Sequence, residues 1–173
     1  IMHGFGAYPF ATPHTRPSMV SCTASSEQVA ASIGLLRNSV TVPAGMEAVL
    51  ERRFAERGLP AAGLWAQVPH YVANAPYPGA AVALLDTLSR LTGLRFSTDE
   101  LRDAHTEHAQ RVDALVAQSA EHVAMVRQLE SQYDALATMI SGSTTPGPLP
   151  SGDELAAELE RFLRDQPRPD SES

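Results

Sequence analysis

Lysine is missing from this chain: all 13 basic residues are arginine. Without a lysine amine there is no Schiff-base chemistry and no phosphate-loop lysine, so a broad group of enzymes drops out. Cysteine occurs once, at Cys22. That thiol has no second cysteine for a disulfide or a zinc site, which fits a reducing compartment, and a small core residue is its expected role. Long apolar runs are missing too, since the stretch 80–85 falls far short of the roughly 20 residues that a membrane-spanning helix needs. No signal-peptide pattern opens the sequence, so a cytoplasmic protein away from membranes is expected. Basic charge is scarce where a nucleic acid would require it. Residues 1–97 carry seven arginines against five acids, 98–140 carry three against eight, and the remainder three against seven, for a net charge of -7. An acidic arm on a near-neutral body argues against a phosphate backbone as partner and leaves basic protein surfaces.

What is present suffices for one ordinary core, with 43% hydrophobic residues in 173. The run 19–23 reads as a strand, followed by a short helix over 27–33. Met46, Val49, Leu50 and Phe54 recur at helical spacing over 45–57, which predicts a helix laying that face on a sheet. The apolar stretch 62–68, bounded by Pro60 and Pro69, suits a buried strand parallel to the first, giving a βαβ-type unit. A helix over 78–91 begins with a proline, where the first turn tolerates one, and stops at Gly93. Ser97 with Glu100 reads as a capping box for a helix running towards residue 118, with Leu101, Ala104, His108, Val112 and Leu115 on one face. Then Val123, Val126, Leu129, Tyr133, Leu136 and Ile140 alternate three and four apart, a narrow stripe of coiled-coil type and a candidate partner or self-association surface. Two antiparallel helices, or one kinked helix, both fit this arm. The expected organisation is an α/β body over 1–96, a helical arm over 97–141, a linker over 142–151, a last amphipathic helix over 152–166 and a disordered tail over 167–173. The chain opens directly at Ile1, in His3-Gly4-Phe5-Gly6, with no leading strand read there. It is therefore expected to be the C-terminal part of a longer polypeptide.

Motifs for chemistry are few. There is no phosphate loop, dinucleotide fingerprint or nucleophile elbow, and Gly4-x-Gly6 reads as a turn. No catalytic residue, metal or cofactor is assigned. His105 and His108 lie three apart on a helix with Glu107 between them, but metal-binding His-Glu-x-x-His spacing is absent and the surroundings are acidic, so a solvated face is expected. The better candidates are two loop clusters, Pro13-His14-Thr15-Arg16-Pro17 and Pro69-His70-Tyr71. The second follows a predicted strand, where α/β folds place ligands. His14, Arg16, His70 and Tyr71 are thus the candidate ligand or loop residues, with a structural role equally open to them.

Those same residues carry a resemblance. Pro13-His14-Thr15-Arg16-Pro17, then Leu64-Trp65-Ala66-Gln67-Val68-Pro69-His70-Tyr71-Val72, Pro76-x-Pro78, the helix 80–91 and Val126-x-x-Leu129-Glu130-x-x-Tyr133-Asp134 resemble, in order and spacing, the bacterial branch of the proteasome assembly chaperone family. The likeness covers roughly residues 10–135. It implies a three-layer α/β/α fold of nucleoside-phosphorylase-like architecture with a C-terminal helical extension, homo-oligomers, and a protein partner such as a proteasome subunit. At 40–45 the chain has Val-Thr-Val-Pro-Ala-Gly where the family pattern would place Gly-Pro-Thr-Gly, so a ligand held by that loop is not implied. The expected function is non-enzymatic protein binding of the assembly-chaperone kind. The alternative is a nucleoside or small-molecule enzyme of phosphorylase or hydrolase type using His14, Arg16, His70 and Tyr71.

Overall fold

The structure, a computed structural model, describes residues 1–37 and 45–142. The loop 40–44, and the linker, final helix and tail expected after the arm, lie outside the described residues. Four strands form one mixed sheet: β1 (Met2–Phe10), β2 (Val20–Ala24), β3 (Leu36–Arg37) and β4 (Ala61–Pro69), in the order β1-β4-β2-β3. The helices are α1 (Glu27–Ile33), α2 (Met46–Glu56), α3 (Pro78–Thr92), α4 (Asp99–Val116) and α5 (Ala120–Gly142), with a 3-10 turn at His70–Val72. Residues 1–135 and 136–173 form two compact units, the second described only over the end of α5.

β4 is the centre of the sheet. It runs parallel to β1 through a nine-residue register from Met2↔Ala61 to Phe10↔Pro69, and antiparallel to β2 from Val20↔Ala66 to Ala24↔Ala62. Two expectations change here. Residues 2–10 are a strand rather than a glycine turn, because a fully paired neighbour overrides weak local propensity. The β2/β4 pair is antiparallel, so these strands are not the parallel ends of a βαβ unit. The burial expected for the 62–68 run does hold, with Leu64 fully buried and Val68 at 7% exposure.

Strand alternation gives the sheet two unlike faces. One is apolar: Cys22, Ala62 and Leu64 pack with Ile33 of α1, and Ala66 and Val68 pack with Tyr77 and Ala80, while Leu84 of α3 reaches both groups. Cys22 is a buried thiol within this core, in no disulfide, and its Sγ lies 3.9 Å from the Leu35 carbonyl. The other face is polar. The Trp65 indole N–H donates to Thr23 Oγ1 at 3.2 Å, and the Thr23 hydroxyl donates to Glu51 Oε2 at 2.7 Å. Glu47 lies over Gly4 and Gly63, which are adjacent in register, and burial, then the neighbouring Glu51, push its carboxyl above the usual range. Helix α2 therefore meets the sheet through Glu47 and Glu51, and Met46, Val49 and Leu50 point outward at 73%, 46% and 43% exposure. Three of the four residues expected to pack are thus turned out and Phe54 alone stays half-buried, beside Glu47 and Glu51, because a polar sheet surface selects the acidic side of the helix. With α2 on one face and α1 and α3 on the other, the body is a three-layer α/β/α arrangement.

Helix α4 packs on α3. The capping box expected at its start does not form, since the N-cap is Thr98 and makes no side-chain cap bond. Thr98 Oγ1 instead accepts from Arg102 Nε at 3.1 Å, and Arg102 Nη2 donates to both oxygens of Asp86 on α3 at 2.7 and 2.6 Å. Leu115, expected on the packed face, is 63% exposed.

A Cβ at Gly63 would stand 2.7 Å from Thr23 Oγ1 and 2.8 Å from Trp65 Nε1, whereas one at Gly45 would meet nothing. Gly63→Ala should accordingly cost about 1–3 kcal/mol by urea denaturation despite its better strand propensity. Gly45→Ala, by the same measurement, should cost only about 0.5–1 kcal/mol, since a Cβ there meets nothing and the loss is that of a glycine N-cap of α2.

Candidate functional site

The insertion of β4 between β1 and β2 decides where the loop 11–19 must go. It leaves β1 beside Pro69, crosses the end of β4, and re-enters the sheet with the Met19 carbonyl accepting from the Gln67 N–H at 2.9 Å. His14 is thereby carried over Tyr71, which the 3-10 turn holds just past β4. Pro13 is fully buried and His14 is 3% exposed. The His14 backbone N–H donates to the Tyr71 hydroxyl at 2.8 Å, and the same hydroxyl lies 2.7 Å from His14 Nδ1. On the far side of the ring, His14 Nε2 is 2.9 Å from Asp113 Oδ1 on α4. One assignment satisfies all three bonds in the neutral ring. Tyr71 accepts from the backbone and donates its own proton to Nδ1, which leaves the ring proton on Nε2 to face the carboxylate.

That network is satisfied within the protein itself. Burial pushes the Tyr71 phenol up to about 12, so at neutral pH it stays a hydroxyl and a donor. A general base or nucleophile needs a group tuned towards its operating pH, and this shift moves away from it. The two ring nitrogens of His14 are both occupied by protein groups.

Two residues on, Arg16 turns to α5. Its Nε and Nη2 donate to the two oxygens of Asp134, each at 2.9 Å, and Nη1 donates to Glu130 Oε1 at 3.2 Å. The Thr15 hydroxyl donates to the same Glu130 oxygen at 2.6 Å. Residues 130 and 134 are one turn apart, so both acids fall on the same side of the helix. The guanidinium fork fits a carboxylate with two parallel bonds, a geometry that lysine cannot reproduce. Arg16, by its hydrogen bond first, holds the Asp134 carboxyl below its ordinary range.

The four candidate loop residues therefore have three different settings. His14 and Tyr71 meet each other, Arg16 faces the arm, and His70 is exposed with Nδ1 3.4 Å from the Phe10 carbonyl and its ring edge-on to Tyr71. The partners Asp113, Glu130 and Asp134 were not singled out by sequence, apart from the last two as parts of a motif. The stripe on α5 is also divided. Val126 and Leu129 are buried within this one chain at 6% and 7% exposure, Val123 and Tyr133 are half-buried, and Leu136 and Ile140 are exposed. Its middle is thus core rather than free surface. Among the described residues α5 makes no extended packing along α4, which removes the antiparallel-hairpin option.

The reading of His105 and His108 as a solvated face is corrected. Both rings stand edge-on to Tyr77, at 5.7 and 5.4 Å between centroids, and both Nδ1 atoms are buried without a hydrogen-bond partner. A Cβ on Gly79 would come within 2.7 Å of His105, so glycine at the start of α3 gives that ring its seat. An acid-rich helix hid this face because Asp103 and Glu107, the acids beside the two histidines in sequence, are exposed. Among the described residues, no three His, Cys, Asp or Glu side chains are grouped as a metal site.

The fold and this clasp define a class: an α/β/α domain whose strand-crossing loop fastens two helices to the body. The chain belongs to the PAC2 family, whose model matches residues 1–116. The solved structures it resembles include a PAC2 family protein from Streptomyces avermitilis, with 35% identity over 72% of this chain and 52% of that one and a TM-score of 0.64. A Mycobacterium tuberculosis proteasome-assembly chaperone homologue matches with 31% identity over 72% of this chain and 52% of that one, at a TM-score of 0.62. A protein of unknown function from Corynebacterium glutamicum reaches a TM-score of 0.71, with 26% identity over 80% of this chain and 51% of that one. The chain thus spans about half the length of these structures. No curated protein is a significant match.

Tyr71→Phe keeps the ring and removes the hydroxyl, leaving the His14 N–H and Nδ1 buried without their partner. Destabilisation of about 1–3 kcal/mol is expected from chemical denaturation. Asp113→Asn should cost less, since Asp113 is 62% exposed and an amide can still accept.

Proposed function

We propose that this chain is a non-enzymatic protein-binding domain of the assembly-chaperone kind, acting on a proteasome subunit in the cytoplasm as a homo-oligomer. The observation that supports it best is how the polar loop residues are used. His14, Thr15, Arg16 and Tyr71 direct their hydrogen bonds to each other and to acids on α4 and α5. They fasten helices in place instead of converging on a ligand. The proteasome-assembly chaperone homologue among the similar structures supports the choice of partner. A phosphorylase-type site would need Arg16 and His14 to turn their donors to a substrate and give up these bonds.

The exposed end of the α5 stripe is the surface we assign to association. Leu136 and Ile140 lie one turn apart and are each more than a third exposed. A side chain of this size contributes ~1.5–3 kcal/mol when buried, before the entropy of ordering is subtracted. Leu136→Glu with Ile140→Glu should lower the mass seen by light scattering while circular dichroism stays unchanged. An unaltered mass would remove this surface from the proposal.

The partner is tested separately by mixing the purified chain with purified proteasome α-type and β-type subunits and separating the mixtures by size exclusion. Co-elution with one subunit type is expected, weakened at least about tenfold by Arg16→Glu, which sets like charges against Glu130 and Asp134. If neither subunit type co-elutes at micromolar concentration, the proteasome partner is wrong.

A further inference from the structure

His14 of the loop meets His105 and His108, a pair one turn apart on α4, and the His14 network does not use that pair. His105 and His108 project from α4 onto the ring of Tyr77, which is itself 9% exposed and packed with Ala66, Val68 and Ala80 in the core. His105 is wedged against Gly79 at the first turn of α3. These two rings are thus part of the way α4 is joined to the body. Each has its Nδ1 sealed from solvent with no acceptor in reach. A neutral imidazole tolerates this by keeping its proton on Nε2. An imidazolium must carry a proton on both nitrogens, and here the second N–H would be buried with nothing to receive it.

The charged surroundings add to that cost. Facing the pair are His14 from the loop, Tyr77 from the segment after β4 and Arg111 from α4 itself, while Tyr71, Asp113 and Glu130 lie one step further out, around His14 and Tyr71. Asp113 is engaged by His14. The groups acting on His105 and His108 directly are therefore other histidines and an arginine, none of which offers a negative charge to an imidazolium.

We propose that His105 and His108 form a proton-sensitive latch that holds α4 on the body while both rings are neutral and releases it as they charge. The direction follows from linkage. Burial, followed by neighbouring positive groups, lowers both histidines from 6.5 in the folded chain. The unfolded chain then binds more protons at mildly acidic pH, so their contribution is complete above about 6.5 and is lost as the pH falls from there towards the folded values.

The test uses the full chain. Nuclear magnetic resonance titration of the ring protons should give midpoints below 6.5 for both residues. Between pH 7.5 and 5.0, the unfolding equilibrium constant of the wild type should rise at least about threefold more than that of His105→Phe with His108→Phe, which keeps aromatic edges on Tyr77 without a titrating group. Because His3 and Glu47 titrate equally in both proteins, the difference belongs to the pair. Where the double phenylalanine variant fails to fold, His105→Gln with His108→Gln serves in its place, and the wild-type titration decides alone if neither folds. Hydrogen exchange, corrected for its intrinsic pH dependence, should show α4 amides losing protection before those of β4. Midpoints at or above 6.5, equal pH slopes in the two proteins, or simultaneous loss across α4 and β4 would each overturn the latch.

Discussion

Everything distinctive in this molecule follows from the position of β4. A hairpin of β1 and β2 would have placed the loop 11–19 at an ordinary turn, free in solvent. With β4 inserted between them, the loop must bridge two strand spacings, roughly 10 Å, across the end of the central strand. It is forced over the residues that follow β4, and the residue on its underside is buried by that crossing. A buried backbone N–H there needs an acceptor. The Tyr71 hydroxyl supplies it, and the same oxygen fixes the His14 ring, so one side chain satisfies two obligations. The proline on either side of His14-Thr15-Arg16 limits how the loop can bend while doing this.

Once His14 is fixed, the rest of the attachment is geometry. Its outer nitrogen can reach only what lies beyond the loop, and that is α4 through Asp113. Arg16, two residues further, projects to α5. The loop therefore acts as a bracket with one contact to the strand layer and one to each helix. The two sheet faces show the same economy of polar groups. The apolar face is filled by small side chains and one leucine, and the polar face by the Trp65–Thr23–Glu51 chain, in which the threonine hydroxyl both accepts and donates.

Local pattern carried the sequence reading as far as local physics extends. Helix α3 and the buried run of β4 were legible because a terminal proline, a closing glycine and an uninterrupted apolar stretch act within a few residues. Strand β1 was not, since Gly4, Gly6 and Pro9 lower its propensity and its stability comes from a partner about 60 residues away in register. The inward face of α2 was misread for a related reason: amphipathicity reports which side is apolar, and the sheet surface opposite happens to be polar. The candidate loop was visible as an unusual cluster and through family resemblance. Its partners were not, because an Asp at 113 or 134 looks like any solvated helix acid until the fold brings the loop to it.

The clasp joins the helices by two kinds of chemistry, and the difference is consequential. The hold on α4 combines a contact that reaches the surface, His14 on the exposed Asp113, with a buried one, His105 and His108 against Tyr77. The buried contact is weakly screened by salt but sensitive to which groups carry protons. The hold on α5 is an exposed, bidentate ion pair network at Arg16, whose groups keep their charge through the physiological range. It is indifferent to mild acid and open to ionic strength. The family match ends at residue 116, the last residue of α4, so the buried attachment lies inside the shared domain and the ionic one ties on the helix beyond it. Competing charge can loosen the surface arginine, but moving this helix also exposes Val126 and Leu129, which are buried at 6% and 7% exposure. A helix fastened through a sealed histidine pair cannot move unless the core contact with Tyr77 is given up. The two helices are in this way joined to the body by contacts that answer to different conditions, protonation at α4 and ionic strength at the Arg16 end of α5.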